Sequence, residues 1–267
     1  MNNWKSTACL LLALVSPAAL AEFDWSTALE GKHRAEGNAA RNQYRHPRET
    51  LEFFGLEPGM TVMEVTPGGG WYTEVLAPLM KGNGKLIAAH YDANGGSYSR
   101  RSLGGFLTKL GTDNEVYSEV RVSALQPPLA MNPAPAGSVD LVVAFRNVHS
   151  WLRMKQAETF LAAMYDVLKP GGALGIVQHR GKPEFDLDTM VKTAYITEEK
   201  VIELAELAGF ELEAKSEINA NPADTKDYPG GVWTLPPSFR EGEKNRDKYL
   251  AIGESDRMTL RFRKPAE

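Results

Sequence analysis

The sequence predicts an α/β fold built on a doubly wound, mostly parallel sheet. In residues 62–73 (VMEVTPGGGWYT), a short apolar run stops at three consecutive glycines and an amphipathic segment follows at once, which indicates a strand, a tight loop and a helix. Residues 139–145 (VDLVVAF) have the pattern of a strand buried on both faces, and residues 155–168 then show apolar positions at helical spacing. Strands that alternate with helices in this way form βαβ units with right-handed crossovers.

The glycine corner at residues 68–70 is typical of a nucleotide-type pocket. Glycine lets the backbone approach a ligand closely, and the free N–H groups that open the following helix favour polar or anionic groups. In a doubly wound sheet, ligands bind beyond the carboxyl ends of the strands, where this corner lies. The alternative is that the glycines serve only close packing.

Capping and turn patterns place the other elements. Thr27 and Glu30 form a capping-box pattern that predicts a helix from about Thr27, and a second helix is opened by Pro47 and ended by Gly55. We expect residues 22–57 to lie over the ligand edge of the sheet as a helical cap. The remaining predicted strands are 61–65, 85–89, 173–178, 210–216 and 258–263, and the remaining predicted helices are 71–77 and 197–208.

A long polar segment, residues 217–257, separates the last two predicted strands. Loops of this length inside a compact domain are usually functional or disordered. The aromatic and proline content of residues 228–233 (YPGGVW) favours an ordered, lid-like insertion that faces the substrate. The alternative is a surface loop with no role in the site.

Two of these segments resemble one known family. Residues 158–178 (ETFLAAMYDVLKPGGALGIVQ) are similar to the helix, LKPGG turn and fifth strand of class I S-adenosylmethionine-dependent methyltransferases, and the glycine corner resembles their first glycine motif. The likeness runs from about residue 51 to residue 263. The TPGGGWYTE-type loop and the DRMTL segment at 256–260 are similar to an exported methyltransferase-like subgroup. The resemblance implies a Rossmann-like sheet of seven strands with the last one antiparallel inside it, and S-adenosylmethionine as the cofactor.

The resemblance also implies a set of cofactor-binding residues. Glu64, Thr66, Gly68, Gly69 and Gly70 would border the methionine part of S-adenosylmethionine. Glu64, at the end of the first strand, matches the acidic position of the family, where it would help to order the cationic amino acid moiety. The alternative for this carboxylate is a purely local role, satisfied by neighbouring N–H groups.

The chain departs from the family pattern at two positions. Thr66 stands where the first glycine of a G-x-G-x-G loop is common. The second strand usually ends in an acid that accepts both ribose hydroxyls, and here His90 occupies that place, with Asp92 as the candidate to compensate. A neutral imidazole offers one acceptor nitrogen at most. If the chain binds S-adenosylmethionine in the family manner, the sequence therefore predicts that His90→Asp would tighten its binding. If His90 instead belongs to a metal or substrate site with His149 and His179, the affinity for S-adenosylmethionine should not change.

Three histidines follow strands of the predicted sheet. His90, His149 and His179 come after the second, fourth and fifth strands, so a doubly wound sheet brings all three to the same edge. One of them is a candidate general base, because imidazole titrates near neutral pH. Structural histidines are one alternative and a three-histidine metal site is another, although no H-E-x-x-H spacing is present and we predict no metal. The resemblance places Asn147 and His149 where residues touch the transferring methyl group or the substrate, and the candidate catalytic residues are His149, His179 and Asn147.

Arginines accompany both the predicted cap and the fourth strand. Arg146 could clamp a substrate carboxylate or could be a solvated surface charge. The run at residues 41–50 (RNQYRHPRET) could close the pocket over an anionic group, or could be a charged entry to the helix that follows.

The first 21 residues have the pattern of a secretory signal peptide. Lys5 precedes an apolar run at residues 8–15, and Ala19-Leu20-Ala21 matches an A-x-A cleavage site, so Glu22 is the expected first mature residue. The apolar run is too short to span a bilayer, and no membrane anchor is expected. The only cysteine, Cys9, lies in this segment. The mature chain is therefore expected to lack disulfides, thiolate metal sites and cysteine nucleophiles, and to lie in the periplasm.

Charge and length limit the functions further. The formal net charge of −4 and the absence of a basic stripe exclude long-range attraction to nucleic acid or anionic lipid. Residues 22–267 fit a single domain with a sizeable core. The favoured function is an exported S-adenosylmethionine-dependent methyltransferase that acts on a small molecule or a cell-envelope component. The alternatives are a non-catalytic periplasmic ligand-binding protein on the same fold and a histidine-based, metal-dependent hydrolase.

Overall fold

The computed structural model describes residues 22–266. The predicted signal peptide, residues 1–21, lies outside the described residues. One sheet of seven strands forms the centre of the molecule, with the strand order β3-β2-β1-β4-β5-β7-β6. The strands are β1 Thr61–Val65, β2 Lys85–His90, β3 Arg121–Ala124, β4 Val139–Phe145, β5 Leu168–His179, β6 Glu211–Ser216 and β7 Arg257–Arg263.

The strand directions match the predicted architecture. β1 to β5 pair in parallel, while β7 lies between β5 and β6 and pairs antiparallel with both. The predictions of a doubly wound sheet and of an antiparallel last strand inside it are therefore confirmed. The carboxyl ends of β1, β2, β4 and β5 all reach one edge of the sheet.

Helices cover both faces of the sheet. One apolar cluster contains Trp151, Phe160 and Met164, and a second contains Leu51, Phe54 and Leu76, each packed with side chains from the strands. The helices are α1 Trp25–Glu30, α2 Glu36–Ala39, α3 Asn42–Arg45, α4 Pro47–Phe53, α5 Thr73–Met80, α6 Ser97–Leu110, α7 Asn114–Tyr117, α8 Val148–Arg153, α9 Ala157–Val167, α10 Leu187–Thr193, α11 Glu198–Leu207 and α12 Arg246–Ile252. None of these helices is long and apolar enough to cross a membrane.

The N-terminal segment divides between two places. α4 lies on a sheet face, where the ring of Phe54 covers Gly175 so closely that an added Cβ would come within 2.4 Å of it. The segment containing α2 and α3 instead reaches the ligand edge, where it contributes Arg41 and Arg45. Only this part of residues 22–57 lies where the sequence predicted a cap.

The first helix begins earlier than predicted. α1 starts at Trp25, and its N-cap is Asp24, whose Oδ1 accepts a hydrogen bond from the Thr27 N–H at 3.0 Å. Thr27 thus lies in the first turn, and the predicted capping box is wrong. In a capping box, Glu30 would accept a hydrogen bond from the Thr27 N–H. Here the carboxylate of Asp24, three residues before Thr27, accepts it instead.

The insertion at residues 217–257 is packed against the domain. It contains a 3-10 helix, Gly231–Thr234, and α12. Tyr228, Leu235 and Tyr249 of the insertion form a third apolar cluster with Tyr195, which precedes α11. This packing fixes the insertion beside the carboxyl ends of β4 and β5.

Candidate functional site

The glycine loop connects β1 to α5 through an unusual backbone. Thr66, Gly68 and Gly70 all have left-handed φ angles, of 48°, 59° and 77°. A Cβ added at Gly68 or Gly69 would meet no atom within 4 Å, whereas one added at Gly70 would lie 3.0 Å from Cδ of Lys109. Gly68 and Gly69 therefore face open space, and Gly70 is packed against the side chains of α6.

The open side of the glycine loop borders a cavity of about 310 Å³. We call it the loop cavity. Thr66, Gly68 and Gly69 form one side of it, and Arg146 and Asn147, from the loop after β4, form another. The other lining residues are Asn38, Arg41, Arg45, Pro67, Trp71 and Phe145.

A second cavity of about 310 Å³ lies between the same edge of the sheet and the insertion. We call it the lid cavity. His179 and Arg257 line it from the sheet, His149 lines it from α8, and Trp233 and Pro236 line it from the insertion. Three arginines line both cavities, which therefore meet at them: Arg41, Arg45 and Arg146. A larger groove of about 670 Å³ lies along α11 and contains none of the predicted site residues.

Glu64 lies beneath the glycine loop rather than on the surface of the loop cavity. Its side chain is buried, and its Oε2 accepts a hydrogen bond of 2.6 Å from Oγ1 of Thr73, the first residue of α5. Burial raises the pKa of this carboxyl to about 7, and the hydrogen bond from Thr73 and the charge of Arg146 oppose that rise.

His90 and Asp92 do not line either cavity. The buried ring of His90 accepts a hydrogen bond at Nδ1 from the Tyr91 N–H at 2.7 Å, so Nε2 carries the proton and donates to the Gly68 carbonyl at 3.2 Å. Burial lowers the pKa of His90, which keeps the ring neutral. Oδ1 of Asp92 accepts from the Asn94 N–H at 2.6 Å in the turn before α6. In this arrangement the ring of His90 has no acceptor left for a ribose hydroxyl.

The three candidate catalytic residues lie together at the carboxyl ends of β4 and β5. Nδ2 of Asn147 donates to the Val65 carbonyl at 2.6 Å, which ties the loop after β4 to the glycine loop. The rings of His149 and His179 are 5.8 Å apart, and Nδ1 of His179 is 2.5 Å from Oγ of Ser255. Burial is the main cause that lowers the pKa of His149 to about 4, and the charge of Arg153 adds to it. Burial is also the main cause that lowers the pKa of His179 well below its ordinary value, and the charge of Arg257 adds to that effect.

The structure brings together two of the three histidines at the ligand edge. His90 is held under the glycine loop, while His149 and His179 face the lid cavity. Within residues 22–266 there is no group of three His, Cys, Asp or Glu side chains that could hold a metal ion. The hydrolase alternative therefore has no three-histidine site in this part of the chain.

One glutamate pairs with three of the arginines around the two cavities. Glu254 accepts hydrogen bonds from Arg41, Arg45 and Arg257. Burial alone would raise the pKa of Glu254, but Arg257, Arg45 and Arg41 together hold it well below its usual range. Sequence reasoning singled out the run at residues 41–50 but missed Glu254 and Arg257, because only the packing of β7 against β5 brings their segment to this edge.

Comparison with known proteins identifies the fold. Residues 63–176, from β1 to β5, match the family model described as methyltransferase domain. No curated protein matches the sequence. Among solved structures, a S-adenosylmethionine-dependent methyltransferase from Aquifex aeolicus is similar, with a TM-score of 0.57 and 18% identity over 91% of this chain and 100% of that one.

Two further solved structures widen the range of reactions on this fold. The (4+2) cyclase SpnF aligns with a TM-score of 0.57 and 19% identity over 89% of this chain and 86% of its own. An S-adenosylmethionine-dependent methyltransferase from Methanosarcina mazei aligns with a TM-score of 0.54 and 11% identity over 81% of this chain and 97% of its own. At these identities the likeness is one of fold. The domain match supports the prediction of a methyltransferase domain, and the shared fold is the one found in S-adenosylmethionine-dependent methyltransferases.

Proposed function

We propose that this protein is a periplasmic methyltransferase that transfers a methyl group from S-adenosylmethionine to a small molecule or a cell-envelope component. The observation that carries the proposal is the pair of cavities that meet at Arg41, Arg45 and Arg146. Methyl transfer needs one place for the sulfonium and an adjoining place for the acceptor, because the two reacting atoms must come within about 3–3.5 Å of each other. The loop cavity and the lid cavity are arranged in this way.

The residues around the loop cavity fit the methionine half of the cofactor. Gly68 and Gly69 leave room for close approach, since an added Cβ at either would project into open space. The carboxyl of Glu64 lies beneath them and would stabilise a bound ammonium group once it is ionised. S-adenosylmethionine supplies an activated methyl group, so the chain itself has only to orient the two partners and exclude water.

The glycine loop gives a sharp test of cofactor binding. Gly69→Val places a branched side chain in open space beside the loop cavity at a position that needs no left-handed φ, so the domain should fold while the pocket is filled. We expect the affinity for S-adenosylmethionine and for S-adenosylhomocysteine to fall at least tenfold, or about 1.4 kcal/mol, as measured by calorimetry. Gly104→Val, at an open position on α6, is the matched control. Unchanged affinity in Gly69→Val would refute cofactor binding at this loop.

One observation favours a second candidate, a non-catalytic ligand-binding protein on the methyltransferase fold. Both ring nitrogens of His90 are engaged within the protein, at the position where an acid usually accepts the ribose hydroxyls. The same titration separates the two candidates. A folded wild-type protein that binds neither S-adenosylmethionine nor S-adenosylhomocysteine would support the second candidate over the first.

A further inference from the structure

Positive charge is concentrated in the lid cavity. Four arginines line it, Arg41, Arg45, Arg146 and Arg257, and the only acidic side chain among its lining residues is Glu254. Three positive charges are therefore uncompensated by the cavity's own residues, in a protein whose formal net charge is −4. Like charges in a buried place destabilise one another unless an anion joins them.

Some of these guanidinium groups have hydrogen-bonding capacity to spare. Across the described residues 22–266, the side chain of Arg146 has no ion pair or hydrogen bond, although those of its three neighbours pair with Glu254. Nη1 of Arg45 is buried without a partner in the same part of the chain, in a residue that is only 3% exposed. A planar guanidinium with free N–H groups matches the geometry of an oxyanion such as a carboxylate or a phosphate.

One wall of the lid cavity, formed by residues 232–238, is largely apolar. Trp233, Val232, Pro236 and Pro237 come from the insertion, and the ring of Trp233 lies 6.0 Å from that of His149. A cavity of about 310 Å³ is at the lower end of the size of small-molecule sites. A wall of this kind accommodates a hydrocarbon or aromatic body, which inorganic phosphate and sulfate lack.

The chemistry of the histidines narrows the acceptor further. His149 and His179 are the only histidines that line the lid cavity, and both have depressed basicity. A neutral hydroxyl acceptor must lose a proton during methyl transfer, and these rings are weak bases for that task. An acceptor atom that is already anionic needs no base.

From the charge, the free donors and the apolar wall, we infer that the lid cavity binds a small organic acid and that the methyl group goes to its carboxylate oxygen. The inference rests on the proposed methyltransferase function. The carboxylate oxygen forms a new O–CH₃ bond as the sulfonium S–CH₃ bond breaks, and the bonding pair stays on sulfur. The products are a methyl ester and S-adenosylhomocysteine, the two opposite charges cancel, and no proton is released.

Binding tests the site without any turnover. Phthalate, benzoate and phenyl phosphate serve as probes, with neutral benzamide as the matched control. Their binding to the purified protein is measured by calorimetry and by the change in its unfolding midpoint. We expect phthalate to bind and to raise the midpoint, because an anion bound only to the native state stabilises it. Binding of phenyl phosphate far more tightly than of either carboxylate would count against a carboxylate as the natural ligand. Equal binding of benzamide, or no binding of any probe, would overturn the inference.

Variants locate the anion. Arg146→Gln should weaken phthalate binding at least tenfold, and Arg146→Lys should weaken it less, since it keeps the charge but loses the planar fork. Arg146 pairs with no described residue, so these variants break no ion pair. Arg101→Gln, an exposed change on α6, is the control and should bind like the wild type. Unchanged phthalate affinity in a folded Arg146→Gln protein would contradict the site.

The identity of the methylated product tests whether the methyl group goes to a carboxylate oxygen. Methyl-labelled S-adenosylmethionine is incubated with the protein and either the acid probes or an envelope extract, and the products are treated with mild alkali. Label released as methanol indicates a methyl ester and supports the inference. Label transferred in alkali-stable form overturns the carboxylate acceptor but leaves the proposed function intact. Failure to bind S-adenosylmethionine refutes the proposed function and the transfer step, while the anion titration still decides whether the cavity binds an organic acid.

Discussion

The carboxyl of Glu64 is the clearest pH-sensitive group beneath the glycine loop. Burial raises its pKa from 4.5 to about 7, despite the hydrogen bond from Thr73 and the charge of Arg146. Between these two values the folded protein binds more protons at Glu64 than the unfolded chain does. The contribution of this group to stability therefore falls as the pH rises from 4.5 to about 7.

Replacing the Glu64 carboxyl with an uncharged group should remove this loss of stability at high pH. Glu64→Gln keeps an oxygen that can accept from Thr73, and we expect it to raise the free energy of unfolding at about pH 8 by roughly 1–3 kcal/mol, with little effect at about pH 4.5. Urea unfolding of the variant and the wild type across this range measures the difference. Other titrating groups, such as His149, affect both proteins alike and cancel. Glu57→Gln, an exposed change, is the control. A benefit that is the same at every pH would contradict the assignment.

His90 supports the glycine loop from below. Its Nε2–H donates to the Gly68 carbonyl, and its Nδ1 accepts from the Tyr91 N–H. His90→Asp would bury a carboxylate against a carbonyl oxygen and remove the donor. From these contacts we expect the opposite direction to the one that the sequence predicted for this substitution.

We expect His90→Asp to lower the free energy of unfolding by about 1–3 kcal/mol, because the Gly68 carbonyl loses its partner. S-adenosylmethionine binding should weaken with it. His90→Gln, which keeps both a donor and an acceptor, should lie closer to the wild type in both measurements. Urea unfolding and calorimetric titration of the three proteins provide the comparison, and tighter binding by a folded His90→Asp protein would show that the ribose does lie beside β2.

At the scale of elements, the insertion makes a close backbone contact with α10 at Gly231. Gly231 begins the 3-10 helix that carries Trp233, and its φ of 60° is left-handed. An added Cβ at Gly231 would lie 2.4 Å from the Thr193 carbonyl oxygen at the end of α10. Gly242, in the same insertion, has a φ of 62° but open space around it.

These two glycines form a matched pair of variants. Gly231→Ala and Gly242→Ala both introduce backbone strain, but only the first also forces the insertion away from the domain. We expect Gly231→Ala to cost about 1–3 kcal/mol more than Gly242→Ala in urea unfolding. It should also shift the emission of Trp233 toward that of a solvent-exposed tryptophan. The contribution of Trp233 is obtained by subtracting the emission of a Trp233→Phe variant. Equal losses in the two variants would mean that the contact with α10 does not hold the insertion.

The elements that the sequence predicted best are those buried on both faces. The predicted strands 61–65 and 139–145 coincide with β1 and β4, because an uninterrupted apolar run is what a central parallel strand requires. β3 was missed, since its sequence RVSA is largely exposed at the edge of the sheet. α6 was missed as well. It contains two adjacent glycines, and only Ser99 and Phe106 along it are buried.

For the site, the sequence predicted which residues reach the ligand edge better than it predicted the hydrogen bonds and ion pairs that those residues make. The rule that strand ends share one edge places His149 near His179. The same rule placed His90 with them, but its ring turns under the glycine loop, where Tyr91 and Gly68 satisfy it. No local pattern could show that Glu254 would pair with Arg41 and Arg45 more than 200 residues away, since that contact depends on the whole topology.

At the scale of the whole molecule, the fold alone does not fix the reaction. The same architecture is shared by S-adenosylmethionine-dependent methyltransferases and by the cyclase SpnF. The function therefore has to be argued from the contents of the two cavities. Here the arginines and the weakly basic histidines are the distinguishing chemistry.

The proposed compartment also has a direct test. Small residues three and one positions before a signal-peptide cleavage site fit the peptidase, and Ala19 and Ala21 provide them. We expect intact-mass analysis of periplasmic extract to find a chain that begins at Glu22, and its mass to be unaffected by reductant because Cys9, the only cysteine, has been removed. Ala21→Asp should block cleavage and leave the full 29.4 kDa chain in the membrane fraction, whereas Leu20→Gln should be processed normally. Full-length wild-type protein in the cytoplasm would refute export and would place the enzyme where S-adenosylmethionine is made.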